Sequence, residues 1–177
     1  MKKFPVFQIL LAMLIYLASF ILASSCGLIH PNCYAYAGTF VPILFAFVYL
    51  YVAANLQGFG AALLLNGFVL AVGLIVLALL AEIIRQRNGY DTRKGVRLSF
   101  IPFAFSFYAY SAHWWTDTEG SLAAAVEEMP AGYAEKMLPV IRNVPLLILM
   151  LALTIPVAIL AMRLAEGVMK KQTAKLR

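Results

Sequence analysis

Charged residues are scarce in this chain: they make up 12% of its 177 residues, whereas hydrophobic residues make up 63%. Soluble domains carry about 25% charged residues. So few charges cannot cover a water-exposed surface, which excludes an ordinary soluble domain. Long apolar runs replace them, and a bilayer core needs about 20 apolar residues per spanning helix. The composition therefore predicts an all-α membrane protein, folded as a single domain over residues 1–177.

Histidine and cysteine are also rare, at two residues each. The sequence lacks a Gly-rich phosphate loop, a zinc-protease helix, a nucleophile elbow and a Cys-x-x-Cys pair. These absences exclude the usual signatures of hydrolases, nucleotide-binding proteins and metal centres, so we expect no enzymatic activity, no cofactor and no metal. No basic stripe with interleaved aromatic residues is present, and a nucleic-acid partner is not expected.

The apolar runs predict where the chain crosses a membrane. They cover residues 4–24, 38–54, 59–84, 98–115 and 144–166, and turns rich in Gly, Asn or charge separate them. An uncharged loop is expected after the first run. The acidic stretch 116–143 is expected to form a lid or loop with short helices. The predicted fold is a transmembrane bundle of about five to six helical segments.

The distribution of charge predicts the topology. The loop from Arg85 to Arg97 has five basic residues and one acid, so it should be cytoplasmic, where it could also contact anionic lipid headgroups. The acidic stretch 116–143 should be extracytoplasmic, and both termini cytoplasmic, in a bacterial inner membrane. Lys2-Lys3 and the apolar run from Val6 to Ala23 also fit a signal peptide, but the run exceeds the usual length of such a segment.

The third run poses a problem of parity. An outer loop at His30 and an inner loop at Arg93 require an odd number of crossings between them, and only two runs lie there. Asn66-Gly67 and Gly73 could break the run 59–84 into two short or re-entrant pieces, which membranes tolerate where protein covers the freed backbone. We favour two pieces. The alternative is that Lys2-Lys3 is a weak signal and that the N-terminus lies outside.

The order of landmarks resembles the Trep_Strep family of integral membrane proteins, which is grouped with the S components of energy-coupling factor transporters. The residues that carry the resemblance are Gly27-Leu28-Ile29-His30-Pro31, Gly58-Phe59-Gly60, Ala81-Glu82-Ile83-Ile84 with Gly89-Tyr90-Asp91-Thr92-Arg93-Lys94-Gly95, Ser99 to Phe107, and Gly132-Tyr133-Ala134. The block from Ala81 to Gly95 is the most specific part, and the likeness covers most of the chain.

This resemblance implies a six-helix substrate-binding subunit that captures a small solute, such as a vitamin or metal chelate. A T-type transmembrane subunit and two cytoplasmic ATPases would be its partners. The sequence departs from the family pattern in two places. The segment from Gly60 to Ala81 is shorter than expected, by about half a crossing. Ala12 and Tyr16 stand where S components often present two alanines for docking. Small pairs that permit close helix approach are Ser19 with Ala23 and Ala161 with Ala165.

Candidate solute-binding residues gather near the predicted outer face. An imidazole with a carboxylate can hold a polar solute, and aromatic rings can stack on a planar one, although aromatic belts at membrane interfaces need no ligand. The candidates are His30, Asn32, Tyr34, Asn66, Tyr110, His113, Trp114, Asp117 and Glu119. Of these, Asn66 fits equally well as a cap for the helix break. Tyr36, Tyr108 and Trp115 are expected nearby.

Other polar residues have simpler interpretations. Glu82 and Arg85 are three residues apart, a spacing that predicts a pair on one helical face with a structural role. Cys26 and Cys33 fall in the predicted outer loop, where either a disulfide or two free thiols is possible. The second function hypothesis is a non-transporting accessory subunit of a larger ABC complex, such as one that handles siderophore or haem, and the shortened central segment motivates it.

Overall fold

The computed structural model of the chain describes residues 6–67 and 72–177, and within these ranges the chain is helical, without a strand. The helices are α1 Val6–Ser25, a 3-10 turn Cys26–Leu28, α2 Pro31–Phe40, α3 Pro42–Asn55, α4 Ala61–Asn66, α5 Val72–Asn88, α6 Arg93–Ala104, α7 Ser106–Ser111, α8 His113–Thr116, α9 Thr118–Glu128, α10 Tyr133–Arg142, α11 Val144–Val168 and α12 Lys170–Thr173. Among the described residues, three stretches are long and apolar enough to cross a membrane: Val6–Leu28, Pro31–Asn55 and Val144–Val168. The predicted all-α membrane bundle is confirmed.

The second span begins earlier than predicted. The expected loop after α1 is short, because α2 starts at Pro31 and not near residue 38. His30 caps this helix, since its Nδ1 accepts the N–H of Asn32 at 3.1 Å. Proline suits a first helical position, where its missing N–H costs nothing. α2 and α3 together form one long stretch with a junction at Val41.

The third apolar run is two pieces, as we favoured. α4 and α5 are antiparallel: Ala62 lies against Glu82, and Asn66 lies against Leu74. Asn66 is buried, and its Nδ2 donates to the carbonyl of Leu74 and to Ser106 Oγ, both at 3.0 Å, while its Oδ1 accepts from Tyr16. These bonds satisfy polar groups that a broken helix exposes within the bundle. The hairpin thus enters the bundle and returns to the same end, which resolves the parity problem.

The bundle has two chemically different ends. The basic end comprises the ends of α3 and α5, the starts of α4 and α6, and α12. The lid end comprises residues 26–36 and 106–146, where α9 and α10 pack together and α10 packs on α2. From Ser99 to Met162 the sequence has five carboxylates but only two cations, Lys136 and Arg142. Most of the remaining Lys and Arg residues lie at the basic end.

Between the two ends the core is aromatic. The ring of Tyr16 lies 4.6 Å from Phe45 and 5.5 Å from Phe103, and Phe20 lies 5.6 Å from Phe107, measured between centroids. α11 packs along α3 and α6 and closes the bundle. These rings fill the interior around Tyr16, Phe45 and Phe103.

At the basic end, Arg85 caps the C-terminal end of α3. Its guanidinium donates to the carbonyls of Ala53 at 2.6 Å, Leu56 at 2.8 Å and Tyr90 at 3.0 Å, although the side chain is fully buried. Carbonyls in the last turn of a helix lack intrahelical partners and carry partial negative charge. The buried guanidinium of Arg85 gives these carbonyls hydrogen-bond donors and also offsets their negative charge.

Glu82 caps the start of α4. Its Oε1 accepts the N–H of Ala62 at 2.7 Å, because the N-cap residue, Gly60, has no side chain that could do so. The predicted pairing of Glu82 with Arg85 is wrong: in residues 6–67 and 72–177 no ion pair joins them. Each side chain instead bonds to backbone groups that would otherwise be buried without partners, which is costly.

Candidate functional site

Five aromatic residues meet under the lid and form what we term the under-lid cluster: Tyr34, Phe107, Tyr110, Trp114 and Tyr133. Tyr34 is central to it, with its ring centroid 5.7 Å from Phe107 and 6.2 Å from Trp114. Tyr110 lies 6.0 Å from Phe107, and Tyr133 lies 6.4 Å from Trp114. The fold therefore brings together three of the predicted solute-binding residues.

The indole N–H of Trp114 is the unusual feature of this cluster. The residue is 3% exposed, and Nε1 makes no hydrogen bond of normal geometry among the described residues, although the Tyr34 hydroxyl lies beside it in weaker contact. Buried polar groups in native proteins nearly always have a partner, because a donor left without an acceptor costs about 1–3 kcal/mol. A solute with an acceptor atom would remove this cost.

The α1–α2 loop closes the cluster from above. A Cβ on Gly27 would lie 3.2 Å from the hydroxyl oxygen of Tyr133 and 3.3 Å from Cβ of Tyr34. Only glycine therefore lets the loop approach both rings without displacing them. Burial raises the pKa of Tyr133 above its ordinary value.

A hydrogen-bonded group next to the cluster joins α2, α7 and α11. Thr39 Oγ1 lies 2.6 Å from the hydroxyl of Tyr108 and donates to the carbonyl of Met150 at 3.0 Å. The ring of Tyr108 covers Gly38, where a Cβ would come within 2.6–2.9 Å of three ring atoms. This contact fixes the floor of the site by close packing.

His113 belongs to the lid itself. Its Nδ1 lies 2.8 Å from Ser121 Oγ, and its ring lies 5.3 Å from that of Trp114. Burial lowers the pKa of His113, and the nearby Asp117 opposes this shift. Asp117 caps α9, because its Oδ1 accepts the N–H of Gly120 at 3.2 Å. Glu119 is exposed in the first turn of α9.

His30 and Asn32 lie elsewhere, in a groove between α2 and α10 of about 420 Å³. This groove does not contain His113, so the two histidines do not form the joint pocket that the sequence predicted. Among the described residues no group of three His, Cys, Asp or Glu could hold a metal ion. Cys26 and Cys33 are both free thiols.

The two small-residue pairs have different surroundings. Ser19 and Ala23 line an apolar cleft between α1 and α2–α3 with a volume of about 550 Å³. Ala161 and Ala165 are buried in the core of this chain. Ala12 and Tyr16 also face the core. Of these positions, the first pair borders the cleft and Ala12 also lines a second cavity of about 370 Å³ between α1 and α3; docking of a partner stays a prediction.

Sequence reasoning missed several residues of the site. Tyr133 was noted only as part of a family landmark, and Gly27 only as part of another, because a contact across about a hundred residues leaves no local pattern. Lys136 lines the groove beside His30 and Asn32 and was not singled out. Its rarity was a usable signal, since it is one of two cations between Ser99 and Met162.

Comparison with known proteins gives one finding. A family described as hypothetical bacterial integral membrane protein (Trep_Strep) matches residues 6–175. No curated protein and no solved structure matches the chain.

Proposed function

We propose that this chain, which belongs to the Trep_Strep family of bacterial integral membrane proteins, is the substrate-binding subunit of an energy-coupling-factor-type importer. Its task would be to capture a small solute at the lid end. The chain itself performs no chemistry in this proposal. ATP hydrolysis belongs to cytoplasmic ATPases, and a T-type transmembrane subunit couples them to this chain.

The observation that carries the proposal is the buried indole N–H of Trp114, which makes no hydrogen bond of normal geometry among the described residues and has only the Tyr34 hydroxyl in weaker contact. The hydrogen-bonding side chains of Tyr34, Tyr110 and Tyr133 surround the same region. Ligand sites are typically apolar and aromatic, with a few convergent polar groups. The rings of the cluster pack against one another, at 5.7–6.4 Å between centroids, so the lid α9–α10 would have to open to admit a flat solute with an acceptor atom and would then cover it.

Charge supports the orientation that capture requires. Membrane proteins collect Lys and Arg on their cytoplasmic side, and the basic end carries most of these residues. We therefore place the basic end in the cytoplasm and the lid end outside, in the inner membrane. In this orientation the solute meets the under-lid cluster first, and the ATPases lie at the opposite end.

The test is affinity purification of the tagged protein in mild detergent, with mass spectrometry of the copurified proteins and small molecules. The proposal expects ATPases, a T-type subunit and a retained solute. The W114F variant should retain the same proteins but lose most of the solute. The control variant Y51F removes a hydroxyl at the far end, where Tyr51 donates to Gln8 at 2.6 Å, and should retain both. A solitary protein without solute would contradict the proposal.

A second function has its own support. The interior between Tyr16, Phe45 and Phe103 is filled by rings, which is what a non-transporting accessory subunit of a larger ABC complex would show. In that case the purification would recover a complete ABC transporter, and the W114F variant would retain the same proteins and small molecules as the wild type. The same experiment thus separates the two proposals.

A further inference from the structure

The cleft between α1 and α2–α3 is separate from the under-lid cluster. Residues Leu22, Ala37, Phe40 and Leu44 form its apolar walls, and none of the five cluster residues lines it. Its polar groups, apart from Ser19, lie toward the lid end. The Ser19 hydroxyl is already bonded to the carbonyl of Ile15 at 2.8 Å. The volume of about 550 Å³ is within the range of small-molecule pockets, about 300–1,000 Å³.

The cleft continues into the groove beside the lid. Asn32 and Tyr36 line both cavities. The Tyr36 hydroxyl donates to the carbonyl of Val140 on α10 at 3.4 Å and so lies at the boundary. The groove adds polar groups that the cleft lacks, which are His30, Lys136 and Asn143. Together the two cavities offer an apolar body with a polar mouth.

The mouth is also where the positive charge of the lid end is found. Lys136 lines the groove, and Arg142 lines an adjoining cavity that shares Pro139 and Asn143 with it. Neither cation is paired with a carboxylate in the described ranges 6–67 and 72–177. No carboxylate lines either cavity. The charged residues that line the mouth are therefore both cations.

We infer that the cleft and groove form one site for a single-chain amphipathic anion, a free solute whose apolar chain lies between α1 and α2–α3 and whose carboxylate or phosphate lies beside Lys136. The apolar walls accept the chain, as in ligand pockets whose apolar lining carries a few polar groups that fix the ligand's orientation. Lys136 selects for negative charge. A phospholipid with two chains would leave one chain outside this single cleft.

The test uses the full chain in nanodiscs of neutral phosphatidylcholine with two photo-cross-linking probes, a diazirine-bearing decanoate and the matched decanol. We expect decanoate to label residues 19–44, and unlabelled decanoate to compete. The K136Q variant should weaken decanoate labelling by about fivefold, as expected for an exposed charge pair, and leave decanol labelling unchanged. K170Q, a cation removed from the other end, should change neither.

A second variant tests the apolar part. A37L fills the cleft and should abolish labelling by both probes while the under-lid residues stay intact. Should A37L fail to fold, K136Q still decides, because Lys136 is exposed on the lid. Equal decanoate labelling of wild type and K136Q would overturn the inference. Labelling spread evenly over the exposed face of α11, or competition by phosphatidylglycerol and not by decanoate, would overturn it as well.

Discussion

At the basic end the buried Arg85 donates to three carbonyls within 3.0 Å, whereas at the lid end the buried Trp114 makes no hydrogen bond of normal geometry with a described group. The first arrangement fixes two helix ends with charges that are expensive to bury, although Arg85 Nε and Glu82 Oε2 make no hydrogen bond among the described residues. The second arrangement leaves the indole N–H of Trp114 without a well-formed hydrogen bond, which lowers the free energy of unfolding. Polar groups at one end serve the fold, and at the other end they are available to a ligand.

The largest effect should come from R85M. This change leaves the carbonyls of Ala53, Leu56 and Tyr90 buried without a donor and removes the charge beside Glu82. We expect the free energy of unfolding to fall by about 3–5 kcal/mol, the usual cost of breaking a buried charged network. Thermal melting of a fluorescent fusion in detergent measures it. R87M, two residues along and exposed, is the control. Equal melting of the two variants would refute the capping role.

The next effect should come from G38A at the lid end. The new methyl would overlap the ring of Tyr108, so we expect a loss of about 1–3 kcal/mol, typical of overpacking. G167A is the matched control, because nothing lies within 4 Å of its Cβ and it sits within α11. The free energy of unfolding of G167A should be unchanged or higher by up to about 1 kcal/mol. An unchanged melting temperature for G38A would show that the floor of the site is loosely packed.

A smaller effect, a gain in stability, tests whether the indole N–H groups lack a hydrogen-bond acceptor. Replacing both tryptophans with benzothienylalanine keeps each ring and substitutes sulfur for the N–H. Because neither Nε1 makes a hydrogen bond of normal geometry with a described group, we expect stability to rise by about 1 kcal/mol. Y49F removes a hydroxyl that lies 2.7 Å from Ser99 Oγ and should instead lose about 1 kcal/mol. A loss in both proteins would mean that the indoles are bonded after all.

The smallest effect concerns pH. Burial lowers the pKa of His113 from its ordinary value of 6.5, so the folded chain binds fewer protons there than the unfolded chain. Stability should therefore fall as the pH drops through 6.5 and below. The side chain is partly exposed, and the shift in melting temperature between pH 7.5 and pH 5 should be small. H113Q should remove that part of the slope. An identical slope in H113Q would assign the titration to other groups.

The sequence predicted the all-α bundle and the two pieces of the run 59–84, because hydropathy reports burial in lipid and parity restricts how the runs connect. The prediction of one span over 98–115 was wrong, since three short helices, α6, α7 and α8, cover it. Asn66 had two equal interpretations, and the bonds to Leu74 and Ser106 favour the cap of the helix break. His30 followed by Pro31 is a pattern typical of a helix start, but we expected an uncharged loop there.

Contacts between segments that are distant along the chain could not be predicted from the sequence. Spacing along one helix predicted that Glu82 and Arg85 face the same way, but it could not show that orphan backbone groups of α3 and α4 lie within their reach. In the same way, no local pattern brings Tyr133 to Gly27 or separates His30 from His113. These depend on how the lid folds back on α2, which a hydropathy pattern does not determine.

Both tryptophans of this chain, Trp114 and Trp115, are neighbours at the lid end. Ultraviolet emission excited at the red edge of the indole band therefore comes from the lid alone, and the basic end is silent. His113, whose ring lies 5.3 Å from Trp114, is close enough to quench that emission when it is protonated. The unlabelled protein thus carries its own optical probe of whether the lid is closed, open or occupied.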